Sequence, residues 1–362
     1  MADHQLLPNV KNVIPVASGK GGVGKSTVSA NLAIALSKSG ATVGLMDADV
    51  YGPSIPTMMG ASAHPMQADG KIIPPICYGI KIISMGFFLP KGDAVIWRGP
   101  MLAKVIDQFL GTVDWGELDY LIVDLPPGTG DIQLSLCQRI PLTGAVIVST
   151  PQDLAFHVAE KAIAMFKKLH TPILGLVENM SGFECKGCGH REEIFGSGGA
   201  RRYAEAQKIP FLGEIPIATD IRMMSDEGKP ITESSPDSPG AWAFMQVAQN
   251  LEKQLSAGRE ENALEPLEIT QPTQNEIRIR WKDGSESSYG AYELRLACSC
   301  AECQDEVTGA RRVPQEWIKK DVYPLSIERV GRYGVRFQWS DGHSTGIYTF
   351  ERLRALRGQV SN

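Results

Sequence analysis

The sequence predicts an α/β fold in which helices flank a mostly parallel sheet, followed by a small C-terminal α+β domain. Over the first 256 residues, short apolar runs alternate with helical patterns, which is typical of parallel strands joined by helices. A polar stretch with several glutamates and two prolines follows, as in linkers. Beyond it the pattern changes to the alternation of antiparallel strands. We therefore expect a domain over residues 1–256, a linker over 257–273 and a second domain over 274–362.

A glycine-rich segment directly follows the first predicted strand, residues 12–17. Its spacing, Gly19-x4-Gly24-Lys25-Ser26, is that of a phosphate-binding loop, and a helical pattern begins right after it. In this context Lys25 would reach the terminal phosphates, and the Ser26 hydroxyl would ligate Mg²⁺ at a helix N-terminus. The segment therefore predicts a P-loop NTPase domain that binds a nucleotide and Mg²⁺, rather than an ordinary glycine-rich turn. The predicted nucleotide contacts are Gly19, Lys20, Gly21, Gly22, Val23, Gly24, Lys25, Ser26 and Thr27.

Three aspartates end predicted strands downstream of the loop. Asp47 and Asp49 are two positions apart, so their side chains lie on the same side of an extended chain. Asp124 ends the apolar strand 120–124, as a Mg²⁺-binding carboxylate should; a helix cap is the alternative role. We predict that Asp124 and, through water, Asp47 hold Mg²⁺, and that Asp49 orients the attacking water. Residues 126–131 form the predicted switch loop that senses the γ-phosphate.

The composition argues against several classes of protein. The formal net charge of −5 disfavours non-specific nucleic-acid binding, which needs a basic surface. No apolar run approaches the roughly 18 residues of a membrane span, and residues 1–5 lack a signal-peptide pattern. Five of the seven cysteines fall into two tight clusters, which is typical of metal binding in a reducing compartment. We expect a cytoplasmic protein without nucleic-acid or membrane partners.

The first cysteine cluster is Cys185-Lys186-Gly187-Cys188. Two thiolates at this spacing can bind one metal, but they do not complete a tetrahedral site. Three interpretations stay open: a redox disulfide, half of a zinc site, and half of an iron–sulfur site that a second subunit completes. Four thiolates from a dimer suit a [4Fe–4S] cluster.

The second cluster, Cys298, Cys300 and Cys303, places three sulfurs within six residues. His343 lies at a predicted hairpin turn and could supply a fourth ligand. A closed Cys₃His set is what structural zinc prefers; an iron–sulfur role and free thiols are the alternatives. Two Trp-x-Asp-Gly turns, each followed by a Leu-Arg pair, also indicate a weak internal repeat of hairpin plus helix.

Lys20 makes the phosphate loop resemble the deviant loop of a class of dimeric ATPases, which includes partition, Min-type, arsenite-pump and nitrogenase-reductase proteins. The resemblance implies a homodimer in which Lys20 crosses the interface and stabilises the charge that develops on the partner's nucleotide. It also implies that Asn179, at the end of a predicted strand, reads the adenine edge. A solvated lysine at the edge of the loop is the alternative for Lys20.

From about residue 7 to residue 251 the chain resembles the Mrp/ApbC family of P-loop iron–sulfur cluster carriers. The resemblance implies ATP hydrolysis coupled to a [4Fe–4S] cluster, which bridges a homodimer through Cys185 and Cys188 and passes to client apo-proteins. The family usually has proline after the first cysteine; Lys186 departs from that pattern, which could loosen the loop without removing a ligand. The motifs that carry the resemblance are residues 49–54, 97–101, 124–131, 178–181 and 194–199.

The C-terminal domain resembles the small N-terminal domain of γ-butyrobetaine hydroxylase, which also occurs at the C-terminus of plastid carriers of the Mrp/ApbC family. This resemblance implies zinc bound by Cys298, Cys300, Cys303 and His343. Two rival functions stay open: a partition- or Min-type positioning ATPase, and an ATPase whose first cysteine pair holds a structural zinc between subunits.

Overall fold

The computed structural model describes most of the chain. The described residues are 7–49, 52–88, 99–128, 133–134, 137–138, 140–169, 171–184, 187–188, 190–261, 266–305, 310–330 and 334–357. The chain divides into two compact units, residues 1–255 and 256–362. Cys185, residues 50–51 and 97–98 of the family motifs, and residues 129–131 of the predicted switch loop lie outside the described residues.

The first unit is built on a mostly parallel sheet of nine strands, counted over the described residues. With a separate short hairpin, its strands are β1 (Val10–Ala17), β2 (Val43–Asp47), β3 (Met66–Ala68), β4 (Lys71–Ile73), β5 (Ile76–Cys77), β6 (Ile80–Ser84), β7 (Leu118–Asp124), β8 (Ala145–Ser149), β9 (Ile173–Glu184), β10 (Arg191–Glu192) and β11 (Phe211–Ile217). The order is β10-β9-β8-β1-β7-β2-β6-β5, with β11 also beside β9. Among the described strands of this sheet, the outer strands β5 and β10 alone pair antiparallel, and β3 and β4 form the hairpin. The predicted fold class is confirmed.

Helices cover both faces of the sheet. They are α1 (Lys25–Lys38), α2 (Ile55–Met58), α3 (Gly99–Gly111), α4 (Asp153–Lys168), α5 (Gly199–Gln207), α6 (Thr219–Asp226), α7 (Ile231–Ser234) and α8 (Pro239–Glu261), with a 3₁₀ turn at Met85–Phe87. Adjacent residues of β1 belong to different hydrophobic cores: Val13 shares one with Phe109, and Ile14 shares the other with Leu32. A strand covered on both sides needs an uninterrupted apolar run, which is what the sequence provides. None of the helices in the described ranges is long and apolar enough to cross a membrane.

The second unit consists of two three-stranded antiparallel sheets, each followed by a helix. The first half comprises β12 (Pro266–Thr273), β13 (Glu276–Trp281), β14 (Glu286–Gly290) and α9 (Ala291–Leu296). The second half comprises β15 (Pro324–Val330), β16 (Gly334–Trp339), β17 (Ile347–Thr349) and α10 (Phe350–Arg357), preceded by a 3₁₀ turn at Gln315–Trp317. The internal repeat is therefore present, with one more strand in each half than the sequence indicates.

Two regular elements extend into the predicted linker, residues 257–273. Helix α8 continues to Glu261, and β12 occupies residues 266–273. β12 is an edge strand that pairs with β13 alone, and most of its side chains are exposed. Its polar composition is therefore that of a solvated sheet edge, which the sequence pattern does not distinguish from a linker.

Asp119 joins three segments at the start of β7. Its carboxylate accepts hydrogen bonds from the backbone N and Oγ1 of Thr42, at 2.9 and 2.8 Å, and pairs with Lys11 Nζ at 2.7 Å. The hydrogen bonds from Lys11 and Thr42 lower the pKa of Asp119 to about 2. The charged carboxylate therefore stabilises the fold where it is ionised.

We expect Asp119→Asn to lower the free energy of unfolding by about 1 kcal/mol at neutral pH, a modest value because solvent screens the ion pair. Since the folded pKa lies below the ordinary value of about 4, the contribution is present above that pH and is lost as the pH falls towards 2. Urea unfolding of wild type and variant across this range measures the difference. Asp114→Asn, which removes the exposed partner of Lys71, is the control and should have a smaller effect. A difference that stays constant down to about pH 2 would contradict the assignment.

Candidate nucleotide and metal sites

The phosphate loop lies where the strand order reverses. β1 lies between β7 and β8, and the chain leaves β1 through the loop and α1 before it reaches β2 on the far side of β7. Such a reversal opens a crevice at the carboxyl ends of the strands. Val16 and Asp47 are both in register with Asp124 of β7. The loop and the strand-end carboxylates therefore meet at one edge of the sheet.

Two glycines give the loop its shape. Gly22 and Gly24 have φ values of 77° and 79°, in the left-handed region that favours glycine. A Cβ on Gly24 would collide with Nδ2 of Asn179. Helix α1 begins at Lys25, so its first N–H groups, which have no partner within the helix, lie at the loop. The backbone thus has the curvature and the helix N-terminus that phosphate binding needs.

The carboxylate of Asp124 is the centre of the site. Its Oδ1 lies 2.7 Å from Lys25 Nζ and accepts a hydrogen bond from Ser29 Oγ at 2.7 Å, and its Oδ2 accepts one from Ser26 Oγ at 2.6 Å. Lys25 Nζ also lies 3.3 Å from Ser26 Oγ and 3.8 Å from Asp49 Oδ2. The structure therefore brings together the lysine, the serine and two of the three aspartates that the sequence assigns to nucleotide and Mg²⁺.

Asp47 lies beside this group, and protein donors surround its carboxylate. Ser84 Oγ donates to it at 2.9 Å, and the backbone N–H groups of Asp49 and Ile55 donate at 3.1 and 3.3 Å. Burial and the nearby charge of Asp124 raise the pKa of Asp47 to about 8. Asp47 thus fixes the turn after β2 that holds Asp49 near the lysine; its contact with a Mg²⁺-bound water stays a prediction.

Asn179 and Lys20, the residues assigned by resemblance, both contact other parts of the chain. Asn179 on β9 donates from Nδ2 to the carbonyl of Val23 at 2.7 Å, and so braces the loop from the sheet. Lys20 is half-buried, and its Nζ donates to Oε1 of Gln152 at 3.3 Å. The adenine contact of Asn179 and the intersubunit role of Lys20 stay predictions.

The residues at the loop fit a nucleotide and Mg²⁺. Ser26 and Asp124 place a hydroxyl and a carboxylate oxygen 2.6 Å apart, and oxygen is the ligand that Mg²⁺ prefers. Lys25 and the N-terminus of α1 supply positive charge for phosphate groups. The donor set therefore matches the cofactor that the loop spacing implies.

Glu178 on β9 is a site residue to which the sequence analysis gives no role. Its carboxylate is fully buried and accepts hydrogen bonds from Ser181 Oγ at 2.7 Å and from the backbone N–H groups of Gly198 and Ala200 at 2.9 and 2.7 Å. The two backbone donors lie at the start of α5, where negative charge is favourable. Glu178 thus ties the strand that carries Asn179 to the glycine-rich loop before α5. The available signal was an acid directly after the apolar run 173–177 of a predicted strand.

Strand β9 leads directly into the first cysteine pair. It runs beyond Asn179 to Glu184, and β10 returns antiparallel beside its end. Cys188 lies between these strands and is exposed, whereas Cys185 lies outside the described residues. The segment with the two cysteines therefore follows, in sequence, the strand that braces the phosphate loop.

The second cysteine cluster and His343 form a compact site in the C-terminal unit. Nε2 of His343 lies 3.2, 3.5 and 3.7 Å from the Sγ atoms of Cys298, Cys300 and Cys303, and the four ligand atoms all lie within 4.8 Å of one another. Zinc bonds of about 2.3 Å to sulfur and about 2.0 Å to nitrogen put sulfur and nitrogen about 3.5 Å apart in a tetrahedron. The four residues fit a closed tetrahedral metal site.

Polar side chains next to this site orient its ligands. Thr345 Oγ1 donates to Cys300 Sγ at 3.2 Å and also contacts Glu302 Oε2 at 3.0 Å. The same Glu302 oxygen lies 3.4 Å from Nδ1 of His343, which leaves Nε2 facing the three sulfurs. Contacts of this kind fix the ring orientation of a metal-binding histidine.

Burial raises the pKa of Cys298 to about 12 and lowers the pKa of His343 below its ordinary value. At Cys300 burial acts in the same direction as at Cys298, but hydrogen bonds from Thr345 and from the backbone outweigh it and lower the pKa of that thiol. A neutral imidazole is the form that binds a metal, and a bound divalent cation favours the loss of thiol protons. A Cβ on Gly346 would collide with Cys298 Sγ, so glycine at this position leaves room for the sulfur.

We expect Glu178→Gln to lower the free energy of unfolding by about 1–3 kcal/mol, because a backbone N–H then faces an amide NH₂ instead of a carboxylate oxygen. Hydrogen–deuterium exchange should rise at Gly198 and Ala200. Glu193→Gln is the matched control: its carboxylate is exposed in the same loop and accepts from Ser197 Oγ, so its effect should stay within about 0.5 kcal/mol. Equal exchange in the two variants would show that Glu178 does not hold the loop.

Two protein families match the chain, one for each unit. The family model described as NUBPL iron-transfer P-loop NTPase matches residues 9–252. The model described as gamma-butyrobetaine hydroxylase-like, N-terminal, matches residues 269–354. Both resemblances predicted from the sequence are thereby confirmed.

Individual relatives agree with the match over the first unit. An iron–sulfur cluster carrier protein of Aquifex aeolicus is 50% identical over 254 residues, 69% of this chain and 70% of the relative. An iron–sulfur cluster transfer protein NUBPL of Dictyostelium discoideum is 50% identical over 252 residues, 69% of this chain and 78% of the relative. The solved structure of a nucleotide-binding protein of Archaeoglobus fulgidus in complex with ADP matches with a TM-score of 0.59 at 45% identity. The match covers 66% of this chain and 94% of the chain in that structure. The chain therefore belongs to the NUBPL iron-transfer family of P-loop NTPases.

Proposed function

We propose that this protein is an ATP-dependent iron–sulfur cluster carrier. A [4Fe–4S] cluster is the cargo; Cys185 and Cys188 of two copies of the chain bind it, and it then passes to client apo-proteins. The path of β9 carries the proposal: one strand braces the phosphate loop through Asn179 and leads directly to the segment with both cysteines. A change in the loop on ATP binding or hydrolysis would thus reach the cluster ligands through a single strand.

Residues around Asp124 would bind the nucleotide. Lys25 and the N–H groups at the start of α1 would neutralise the phosphates, and Ser26 and Asp124 would ligate Mg²⁺. Mg²⁺ neutralises charge on the phosphates during phosphoryl transfer. Asp49 would orient the attacking water, and the 3.8 Å between its Oδ2 and Lys25 Nζ supports this role. This is the chemistry of an ATP hydrolase.

Formation of a homodimer would complete each catalytic site. Lys20 lies at the rim of the loop, where its amine contacts Gln152 rather than the carboxylates around Lys25. From there it would reach the nucleotide of the partner subunit and stabilise the charge that develops during hydrolysis. Closure of the dimer would alter the geometry of the bridging cysteines. Cluster affinity and nucleotide affinity would then be coupled, each changing the other by the same factor.

We also propose that the C-terminal Cys₃His site holds zinc. The distances from His343 to the three sulfurs support this, and so does the closed donor set, because a catalytic or transfer site keeps an open position. Zinc would stabilise a domain whose own core is small. The exposed thiol of Cys188 would need a reducing compartment such as the cytoplasm.

Anaerobic reconstitution with iron and sulfide tests the cargo. We expect a brown species with about four irons per dimer in the wild type, and its loss in Cys185→Ala/Cys188→Ala, while about one zinc per chain remains in both. Iron and zinc are quantified per chain beside the absorption spectrum. Zinc bound by Cys185 and Cys188 without iron uptake would contradict the carrier proposal and leave an ATPase with a zinc bridge.

Mixing two inactive variants tests the dimer. We expect Lys20→Ala to bind ATP normally and to lose about 10³-fold or more in hydrolysis rate, as when an arginine finger is removed. Lys25→Ala should lose ATP binding. Mixed dimers should regain activity, because the Lys25→Ala chain still offers Lys20 to the intact pocket of the other chain. Lys11→Ala, away from the loop, is the control. Mixtures that stay inactive would contradict a role of Lys20 across the interface.

A further inference from the structure

The two halves of the C-terminal unit correspond in their strand pairing. In the first half Pro266 is in register with Trp281, and in the second half Pro324 is in register with Trp339. A shift in register follows the proline pair in both halves. Both tryptophans are fully buried in one common core. The repeat is therefore a structural duplication.

The halves contact each other reciprocally, as the subunits of a two-fold dimer do. Tyr289 of the first half donates from its hydroxyl to the carbonyl of Leu353 at 2.7 Å. Tyr348 of the second half, the counterpart of Tyr289, donates to the carbonyl of Leu294 at 2.9 Å. Leu294 and Leu353 are counterparts too, so each contact has an equivalent in the other half.

Two arginines continue this symmetry. Arg295, which follows Leu294, pairs through Nε with Asp341 of the second half at 2.8 Å. Arg354, which follows Leu353, pairs through Nη1 with Asp283 of the first half at 2.7 Å. Each aspartate also accepts a hydrogen bond from the backbone two residues later in its own turn: Asp341 from His343 at 3.1 Å and Asp283 from Ser285 at 2.9 Å. The two junctions have the same construction.

The junctions differ in what the rest of the guanidinium contacts. Nη1 of Arg295 donates to Cys303 Sγ at 3.4 Å. The guanidinium of Arg354 instead lies over the ring of Trp281, 4.5 Å from its centroid. Arg295 therefore touches one cysteine directly and, through Asp341, holds the turn that carries His343.

We propose that Arg295 is a positioning residue of the C-terminal metal site. It fixes the position of the cysteines, which belong to the first half, relative to His343, which belongs to the second half. Its charge also matters, because three thiolates around a divalent cation leave one negative charge uncompensated, and Arg295 is buried next to them. This inference rests on the proposed metal site, and Arg354 supplies its internal control.

Zinc affinity measured in matched variants tests the proposal. Full-length protein with Cys185→Ser/Cys188→Ser serves as the parent, so that the C-terminal site alone competes with a chromophoric chelator for Zn²⁺. We expect Arg295→Met to lower zinc affinity about 10–100-fold, and Arg354→Met to leave it nearly unchanged. Urea unfolding of the metal-free proteins should show a loss in both variants, larger in Arg295→Met because its ion pair between the halves is the more buried of the two.

The unfolding measurement separates a structural role from a positioning role. Equal zinc affinity in the two methionine variants would overturn the proposal, whatever their stability. If Arg295→Met does not fold, the comparison of Arg295→Lys with Arg354→Lys decides, because lysine keeps the charge but cannot contact the aspartate and the sulfur in a fork. A weaker zinc site in Arg295→Lys alone is the expected result. A parent that binds no zinc would overturn both the metal site and this inference, whereas a zinc-binding parent with unaffected variants would overturn the inference alone.

Discussion

A carboxylate buried at the end of a central strand needs partners, because an uncompensated buried charge is strongly destabilising. Asp124 obtains three from the first turns of α1: the amine of Lys25 and the hydroxyls of Ser26 and Ser29. Lys25 and Ser29 are four residues apart and so lie on one face of the helix. Their contacts fix the start of α1 against β7, which in turn fixes the loop between β1 and α1. The phosphate-binding geometry therefore depends on an interaction that also holds the helix on the sheet.

Features set by neighbouring residues could be predicted from the sequence. The spacing from Gly19 to Ser26 specifies a local backbone path, and the apolar runs of β1 and β7 follow from burial on both faces. Features set by distant partners could not. The backbone donors to Glu178 lie 20 and 22 residues away, and β12 is recognisable as a strand only through its pairing with β13. In the C-terminal unit the residue types indicate a cluster of three cysteines and His343, but the contact of Arg295 with Cys303 depends on how two halves pack.

The chain uses cysteine in two physically different ways. Cys188 is exposed between β9 and β10, as suits a ligand of the proposed cargo, which must leave. Cys298 and Cys303 are almost fully buried, Cys300 and His343 are half-buried, and Gly346 packs against the sulfur of Cys298. The proposed zinc, held by ligands that are mostly buried, would exchange mainly when the surrounding structure opens. The two sites can therefore share a ligand type while one serves transfer and the other serves stability.

The division of the C-terminal ligands between two halves has a consequence for biosynthesis. His343 follows Cys303 by 40 residues, so a growing chain presents three thiols well before it presents the imidazole. During that interval the thiols belong to a half whose partner half has not been made, and they are open to oxidation or to other soft metals. The site can close only once the second hairpin has left the ribosome. For the proposed zinc site, metal loading would therefore follow synthesis of the second half, and a nascent chain that pauses before residue 343 would be the form most exposed to a wrong metal.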